Sequence, residues 1–116
     1  MASPITTHVL DTSQGHPGEG IAVTLEIRSA DSHRWQPLAI GVTNADGRVS
    51  DLLSDDYQLV PGTYRLTFDV GAYFERQGRT SFYGTIPIVF QLHEIDPHYH
   101  VPLLLNPFGY STYRGS

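Results

Sequence analysis

Cysteine is absent from the 116 residues. That one absence excludes disulfides, thiolate zinc sites, iron–sulfur clusters and a thiol nucleophile, and it fits a chain with no need of an oxidising compartment. Positive charge is scarce too: seven Lys and Arg stand against twelve Asp and Glu, a formal charge of −5. The basic footprint of a nucleic-acid binder is therefore missing. No apolar run approaches the ~20 residues of a membrane-spanning helix, so no membrane partner is expected. Met1-Ala2-Ser3-Pro4 carries neither the basic start nor the apolar stretch of a secretory signal. The chain closes on no Ser-Lys-Leu type of address, and a cytoplasmic location is expected. There is no G-x-S-x-G elbow, phosphate loop or dinucleotide fingerprint. The length suits one domain over residues 1–116. Apart from the N-terminal amine, the groups that exchange protons readily near neutral pH are six His. Acid–base chemistry is expected to run through them or through a perturbed carboxylate.

What is present is alternation. Val23, Leu25 and Ile27 are spaced by polar residues, and so are Tyr64, Leu66, Phe68 and Val70. Ile86, Ile88, Phe90 and Leu92 make a third row, and Tyr99, Val101, Leu103 and Leu105 a fourth. A period of two marks strands with one face on a core. Turn signals separate the rows at Gly15-His16-Pro17-Gly18, Asp46-Gly47, Pro61-Gly62 and Asn106-Pro107. The fold expected is all-β, a sandwich or barrel. Ala72 to Gln77, bounded by Gly71 and Gly78, breaks the pattern and predicts a short helix, and Asp51 to Asp56 predicts a solvated loop. Pro87 and Pro102 require edges, bulges or strand ends, because proline donates nothing to a ladder. A small sandwich with Tyr and Phe at strand positions also favours closed symmetric assembly.

Several side chains could carry chemistry. His98 and His100 are two apart and would share a strand face opposite Tyr99. They could serve as zinc ligands or a general base; from these letters alone, two solvent-facing imidazoles are the favoured reading. His8 shares a face with Thr6 and Leu10 and by itself is more often structural. Asp11 and Thr12 fit a strand-ending turn. Arg48 leaves the Asp46-Gly47 turn, where a guanidinium could grip a carbonyl edge with two hydrogen bonds; an exposed hairpin arginine is the default. In the tail, a strand would put Ser111 and Tyr113 on one face and Tyr110, Thr112 and Arg114 on the other. Glu94 and Asp96 fit capping or solvated roles, His93 faces water, and nothing elevates His16 or His33. Trp35 fits packing.

Taken together, these segments resemble one family. Thr7-His8-Val9-Leu10-Asp11-Thr12, Gly47-Arg48, His98-Tyr99-His100-Val101-Pro102-Leu103-Leu104-Leu105 and the ending Asn106 to Ser116 are similar, in order, to motifs of the transthyretin-like 5-hydroxyisourate hydrolases. The tetrapeptide Tyr113-Arg114-Gly115-Ser116 is the most diagnostic, since it marks the enzymes and is missing from hormone-carrying transthyretins. The resemblance implies a two-sheet sandwich of about eight strands with one short helix. It implies hydrolytic opening of 5-hydroxyisourate, from urate oxidation, with no metal and no cofactor. It also implies a homotetramer with sites at the dimer–dimer interface. Carried over by position, the catalytic set is His8, Arg48 and His100, and the substrate would also meet His98, Thr112, Tyr113, Arg114 and Ser116. The competing expectations are a non-enzymatic carrier of small aromatic ligands and a metal protein built on His8, His98 and His100.

Overall fold

The computed structural model describes residues 3–93 and 98–115. The chain runs β1 (Ile5–Asp11), β2 (His16–Pro17), β3 (Ala22–Arg28), β4 (Trp35–Val42), β5 (Arg48–Val49), β6 (Gly62–Phe68), α1 (Val70–Arg76), β7 (Ile86–Leu92), β8 (Tyr99–Asn106) and β9 (Gly109–Thr112). Two sheets form. One has the order β2-β1-β8-β9 with β5 also on β1; the other has the order β4-β3-β6-β7. The all-β class is the one expected from the alternation, and the two sheets with one short helix are what the resemblance implies. Nine strands stand among the described residues, two of them only two residues long.

Alternation sets which face is buried. Ile5 and Val9 on β1, Val23 and Leu25 on β3, Tyr64, Leu66 and Phe68 on β6, Ile86 and Ile88 on β7, and Tyr99, Val101, Leu103 and Leu105 on β8 all turn into one core. Each large side chain taken fully out of water contributes roughly 1.5–3 kcal/mol. The complementary residues of β1 and β8, including Thr6, His8 and His100, lie on the outer face of the first sheet.

The helix departs from expectation at its start. Val70, expected to end a strand row, instead opens α1, because Asp69 caps it by accepting from the Ala72 amide at 3.3 Å. Val70, Tyr73 and Phe74 are buried against the sandwich. Asp51 to Asp56 is a loop as predicted, yet Leu52 and Leu53 turn into the core and only its polar members are exposed. Both prolines sit where ladders lapse. Pro87 is on the sheet edge β7. Pro102 falls between the last β8–β9 pair, Leu103 with Thr112, and the isolated bridge of His100 to Gly115. The strand β4 carried no clear periodic signal; it is an edge strand with a register irregularity opposite Leu25 and Glu26 and with Pro37 inside it. Trp35, on that strand, is only partly buried and lies 4.3 Å from the Arg65 guanidinium. Glu94 and Asp96 lie outside the described residues.

A polar knot pins the end of β1 to the helix. Asp11 is fully buried. Its carboxylate accepts from Tyr73 Oη at 2.7 Å, Arg79 Nη1 at 3.3 Å, the Ser13 amide at 3.1 Å and the Ser13 hydroxyl. Burial alone would push this acid up, but the bonds from Ser13, Tyr73 and Arg79, with the Arg79 charge, hold it below the ordinary carboxylate value. A depressed folded-state value means that the stabilisation is complete above the ordinary acid range and fades as pH falls through the folded value. Asp11→Asn should therefore lose about 2 kcal/mol at pH 7, the scale of a hydrogen bond to a charged group. The gap to the parent protein should narrow towards pH 3; thermal melts of both proteins across pH check it.

Candidate active site

Three separate segments bring the candidate residues to one sheet face. The first is the parallel ladder of β1 on β8, which pairs Ile5 with Tyr99, Thr6 with His100, Thr7 with Val101 and His8 with Pro102. Neighbouring strands lie about 4.8 Å apart, so His8 and His100 project side by side from adjacent strands. The Thr7 hydroxyl donates to the Val101 carbonyl at 2.6 Å from the buried side and locks that register.

The second segment is the turn before β5. Asn44 Oδ1 accepts from the amides of Asp46 at 2.9 Å and Arg48 at 3.0 Å, and the Gly47 amide returns to the Asn44 carbonyl at 2.8 Å. Gly47 has φ of +77°, and a Cβ there would stand 2.3 Å from the Val9 carbonyl oxygen. Only glycine lets this turn press onto β1. The consequence is register: His8 pairs directly with Arg48.

The third segment is the tail after β9. The Gly115 amide donates to the His100 carbonyl at 2.8 Å. A Cβ on Gly115 would stand 2.6 Å from His100 Cδ2 and 3.3 Å from Pro102 Cγ. The tail backbone therefore lies directly against the His100 ring, which explains why this position of the Tyr-Arg-Gly-Ser ending must lack a side chain. The resemblance implies that Gly115 lines the site together with the rest of Tyr113 to Ser116, without naming the ring it packs on. Alternation places Thr6 only on the His8 face; in the fold its Oγ1 lies 2.8 Å from His100 Nδ1. The period-two pattern contained the signal for Thr6, but its partner lies 94 positions away.

The remaining candidates divide. Ser111 pairs with Leu104 and so belongs to the His face, whereas Thr112 pairs with Leu103 and takes the opposite side. The Thr112 hydroxyl donates to the Pro102 carbonyl at 2.7 Å. The Arg114 guanidinium lies 4.5 Å from the centre of the Tyr99 ring, also away from His8. Thr112, Tyr113 and Arg114 instead line a cleft of about 460 Å³ that opens towards β7 and takes in His100 but neither His8 nor Arg48. Tyr113, in the lining of that cleft, is 58% exposed. His98 is exposed just before β8 and so is not on the strand that carries His100. Ser116 lies outside the described residues. Among the described residues no three His, Asp or Glu side chains gather in a way that could hold a metal ion.

Electrostatics favours neutral imidazoles. Burial and then the Arg48 charge lower the pKa of His8, against an opposing hydrogen bond and charge from Asp46. Burial, Arg48 and then His8 lower that of His100, against a hydrogen bond to the Thr6 backbone. Both rings are half-buried and Arg48 is exposed. Two neutral imidazoles beside a fixed cation can take a proton from water and stabilise an anion forming next to them.

Residues 5–115 match the family described as HIUase/Transthyretin. The chain is 44% identical to the 5-hydroxyisourate hydrolase of Mus musculus, covering 99% of this chain and 97% of that one. It is 45% identical to the 5-hydroxyisourate hydrolase of Halalkalibacterium halodurans over the full length of both. Among solved structures it is similar to the 5-hydroxyisourate hydrolase of Klebsiella pneumoniae, with a TM-score of 0.84 and 40% identity over 98% of this chain and all of that one. It is also similar to sea bream transthyretin in complex with thyroxine, with a TM-score of 0.90 and 35% identity over 97% and 95% of the two chains.

Two measurements check this geometry. Ring resonances followed by NMR should show His8 and His100 titrating below free imidazole, so that each remains neutral as pH falls into the range where free imidazole charges. Gly115→Ala should displace the His100 ring resonances while leaving those of His8 nearly in place, because the atoms nearest to the added methyl belong to His100 and Pro102. The melting temperature should change little, since the tail adds nothing to the core.

Proposed function

The chain belongs to the HIUase/transthyretin family, and we propose that it is a cytoplasmic 5-hydroxyisourate hydrolase. It opens 5-hydroxyisourate to 2-oxo-4-hydroxy-4-carboxy-5-ureidoimidazoline in urate degradation. One observation carries this reading: His8, Arg48 and His100 converge on one sheet face in a chain 44–45% identical to proteins of that name.

The reaction adds water across a ring amide. The water oxygen bonds to the carbonyl carbon, the carbon–nitrogen bond breaks, one proton ends on the departing nitrogen and the product carries a new carboxyl group. His100 takes the proton from the attacking water. It suits the task because burial, and then Arg48 and His8 beside it, lower its pKa and favour the neutral ring. His8 orients the water and returns a proton to the nitrogen. Arg48 grips the carbonyl edge and stabilises the oxyanion, a contribution of roughly 3 kcal/mol. Tyr113 offers a ring face and a hydroxyl to a flat heterocycle. Of the other candidates, Thr112 and Arg114 line the cleft beside His100 and not the face of His8 and Arg48, while His98 and Ser116 are kept as candidates for binding substrate. The chemistry demands neither metal nor covalent nucleophile.

On a single subunit the face that carries His8 and Arg48 is open. We propose that a homotetramer closes it, two dimers meeting over the outer face so that water is limited and each charge interaction strengthens. The half-buried Leu10 and Leu104 on that face, with Tyr113 58% exposed in the cleft that takes in His100, support this.

A second reading has its own support. The transthyretin solved with thyroxine overlays with the higher TM-score, 0.90 against 0.84, so fold likeness alone does not separate carrier from enzyme. The residues do: a carrier has no need of two imidazoles and a guanidinium in register. The decisive experiment follows the absorbance decay of freshly generated 5-hydroxyisourate with and without protein. Faster decay is expected, and decay no faster than the buffer rate would favour the carrier. His8→Ala, Arg48→Ala and His100→Ala should each slow turnover by about a hundredfold or more in a folded protein. Unimpaired rates in all three would remove the assignment.

A further inference from the structure

A histidine works as a base only if the nitrogen facing the reaction carries the lone pair, so something must decide which ring nitrogen holds the proton. For His100 the structure supplies one hydroxyl at the right place. Thr6 Oγ1 stands 2.8 Å from Nδ1, so Nδ1 is engaged and Nε2 is the nitrogen left for chemistry. The hydroxyl is held firmly. Thr6 and His100 are paired across the β1–β8 ladder, the neighbouring Thr7 ties the same strands from behind at 2.6 Å, and a β-branched side chain has little freedom about its first torsion. The ring is held on a further side by the Gly115 backbone against Cδ2.

We propose that Thr6 is the positioning residue for His100: its hydroxyl oxygen accepts the Nδ1 proton, fixes the neutral ring as the Nδ1–H tautomer and leaves the Nε2 lone pair to take the proton from water. This deepens the hydrolase reading above and rests on it for its catalytic part. The other polarity, with the hydroxyl donating to Nδ1, would put the proton on Nε2 and leave no base. Surroundings select between them. The charged and titratable groups around His100 are Arg48 from the start of β5, His8 from β1, Tyr113 and Arg114 from the tail, His93 just after β7 on the shared cleft, and His98 just before β8. Arg48 is the cation that acts on the ring, whereas Arg114 lies over Tyr99 on the other side of β8. A positive field favours a lone pair on the free nitrogen, so the proton goes to the nitrogen that has an oxygen beside it.

Long-range nitrogen–proton NMR of the wild-type protein above the His100 titration tests the tautomer directly. Nδ1 should show the protonated, pyrrole-type signal and Nε2 the pyridine-type signal. Thr6→Val keeps the shape and removes the oxygen. It should lower kcat by about tenfold, the worth of one such hydrogen bond, with KM within about twofold. It should also move the acid limb of the pH–rate profile to lower pH, because an acceptor that favours the charged ring is gone. Thr6→Ser should restore both. An unprotonated Nδ1, a Thr6→Val enzyme with wild-type kcat and pH profile, or a Thr6→Ser enzyme as slow as Thr6→Val would each overturn the proposal. A wild-type protein that shows the expected tautomer but does not hydrolyse 5-hydroxyisourate would overturn the hydrolase reading and leave the tautomer assignment standing.

Discussion

The parallel pairing of β1 with β8 is the constraint on which the rest depends. Parallel neighbours cannot be joined by a tight turn, so the first and the penultimate strands meet only because the intervening chain has built the second sheet and the helix. Seven residue pairs, from Ile5 with Tyr99 to Asp11 with Leu105, then fix the register. A slip of β8 by one residue would exchange the buried row Tyr99, Val101, Leu103 and Leu105 for its outer-face residues, and His100 would change faces while His8 stayed. Core packing and the arrangement of the two histidines are one specification. The side chains that exclude water on one face determine where the polar ones stand on the other.

Charge acts against that background. The chain is acidic overall at −5, yet two imidazoles and a guanidinium crowd together on the outer face. Burial first, and then the Arg48 charge, disfavours a proton on either ring, and His8 adds to this at His100. The cluster remains electrostatically loaded and mostly uncharged. At the far end of β1 the opposite solution appears: Asp11 stays ionised in a buried place because four donors surround it, one of them the Arg79 cation. One strand thus carries an imidazole biased towards its neutral form and an acid held ionised, three residues apart, by different surroundings.

Period-two patterning made the four main strands and their buried rows legible, because burial of one face leaves its mark on every second letter. The Gly71 to Gly78 break announced the helix. Resemblance supplied what patterning could not, the grouping of His8, Arg48 and His100. Three things were hidden for physical reasons. The β4 strand is an edge, and edge strands need no continuous apolar row. Asp11 had the letters of a surface turn, and its burial depends on Tyr73 and Arg79, far along the chain. Thr6, Gly115 and the side taken by Thr112 and Arg114 depend on contacts between distant strands, and nearest-neighbour spacing is silent on those. The register moved Thr112 and Arg114 to the other side of β8 from His8, although they sit within the same diagnostic ending as Gly115.

The parallel seam also has a kinetic meaning. Its two strands are separated by nearly the whole chain, so closing it carries one of the largest loop-entropy costs the sequence can incur. Hairpins such as β3 with β4 can form early, but the seam can zip only onto a chain that is already compact. His8 and His100 therefore become neighbours only when the seam closes, and a half-collapsed chain holds both imidazoles without the one facing the other. Competence arrives all at once, as a property of the finished topology.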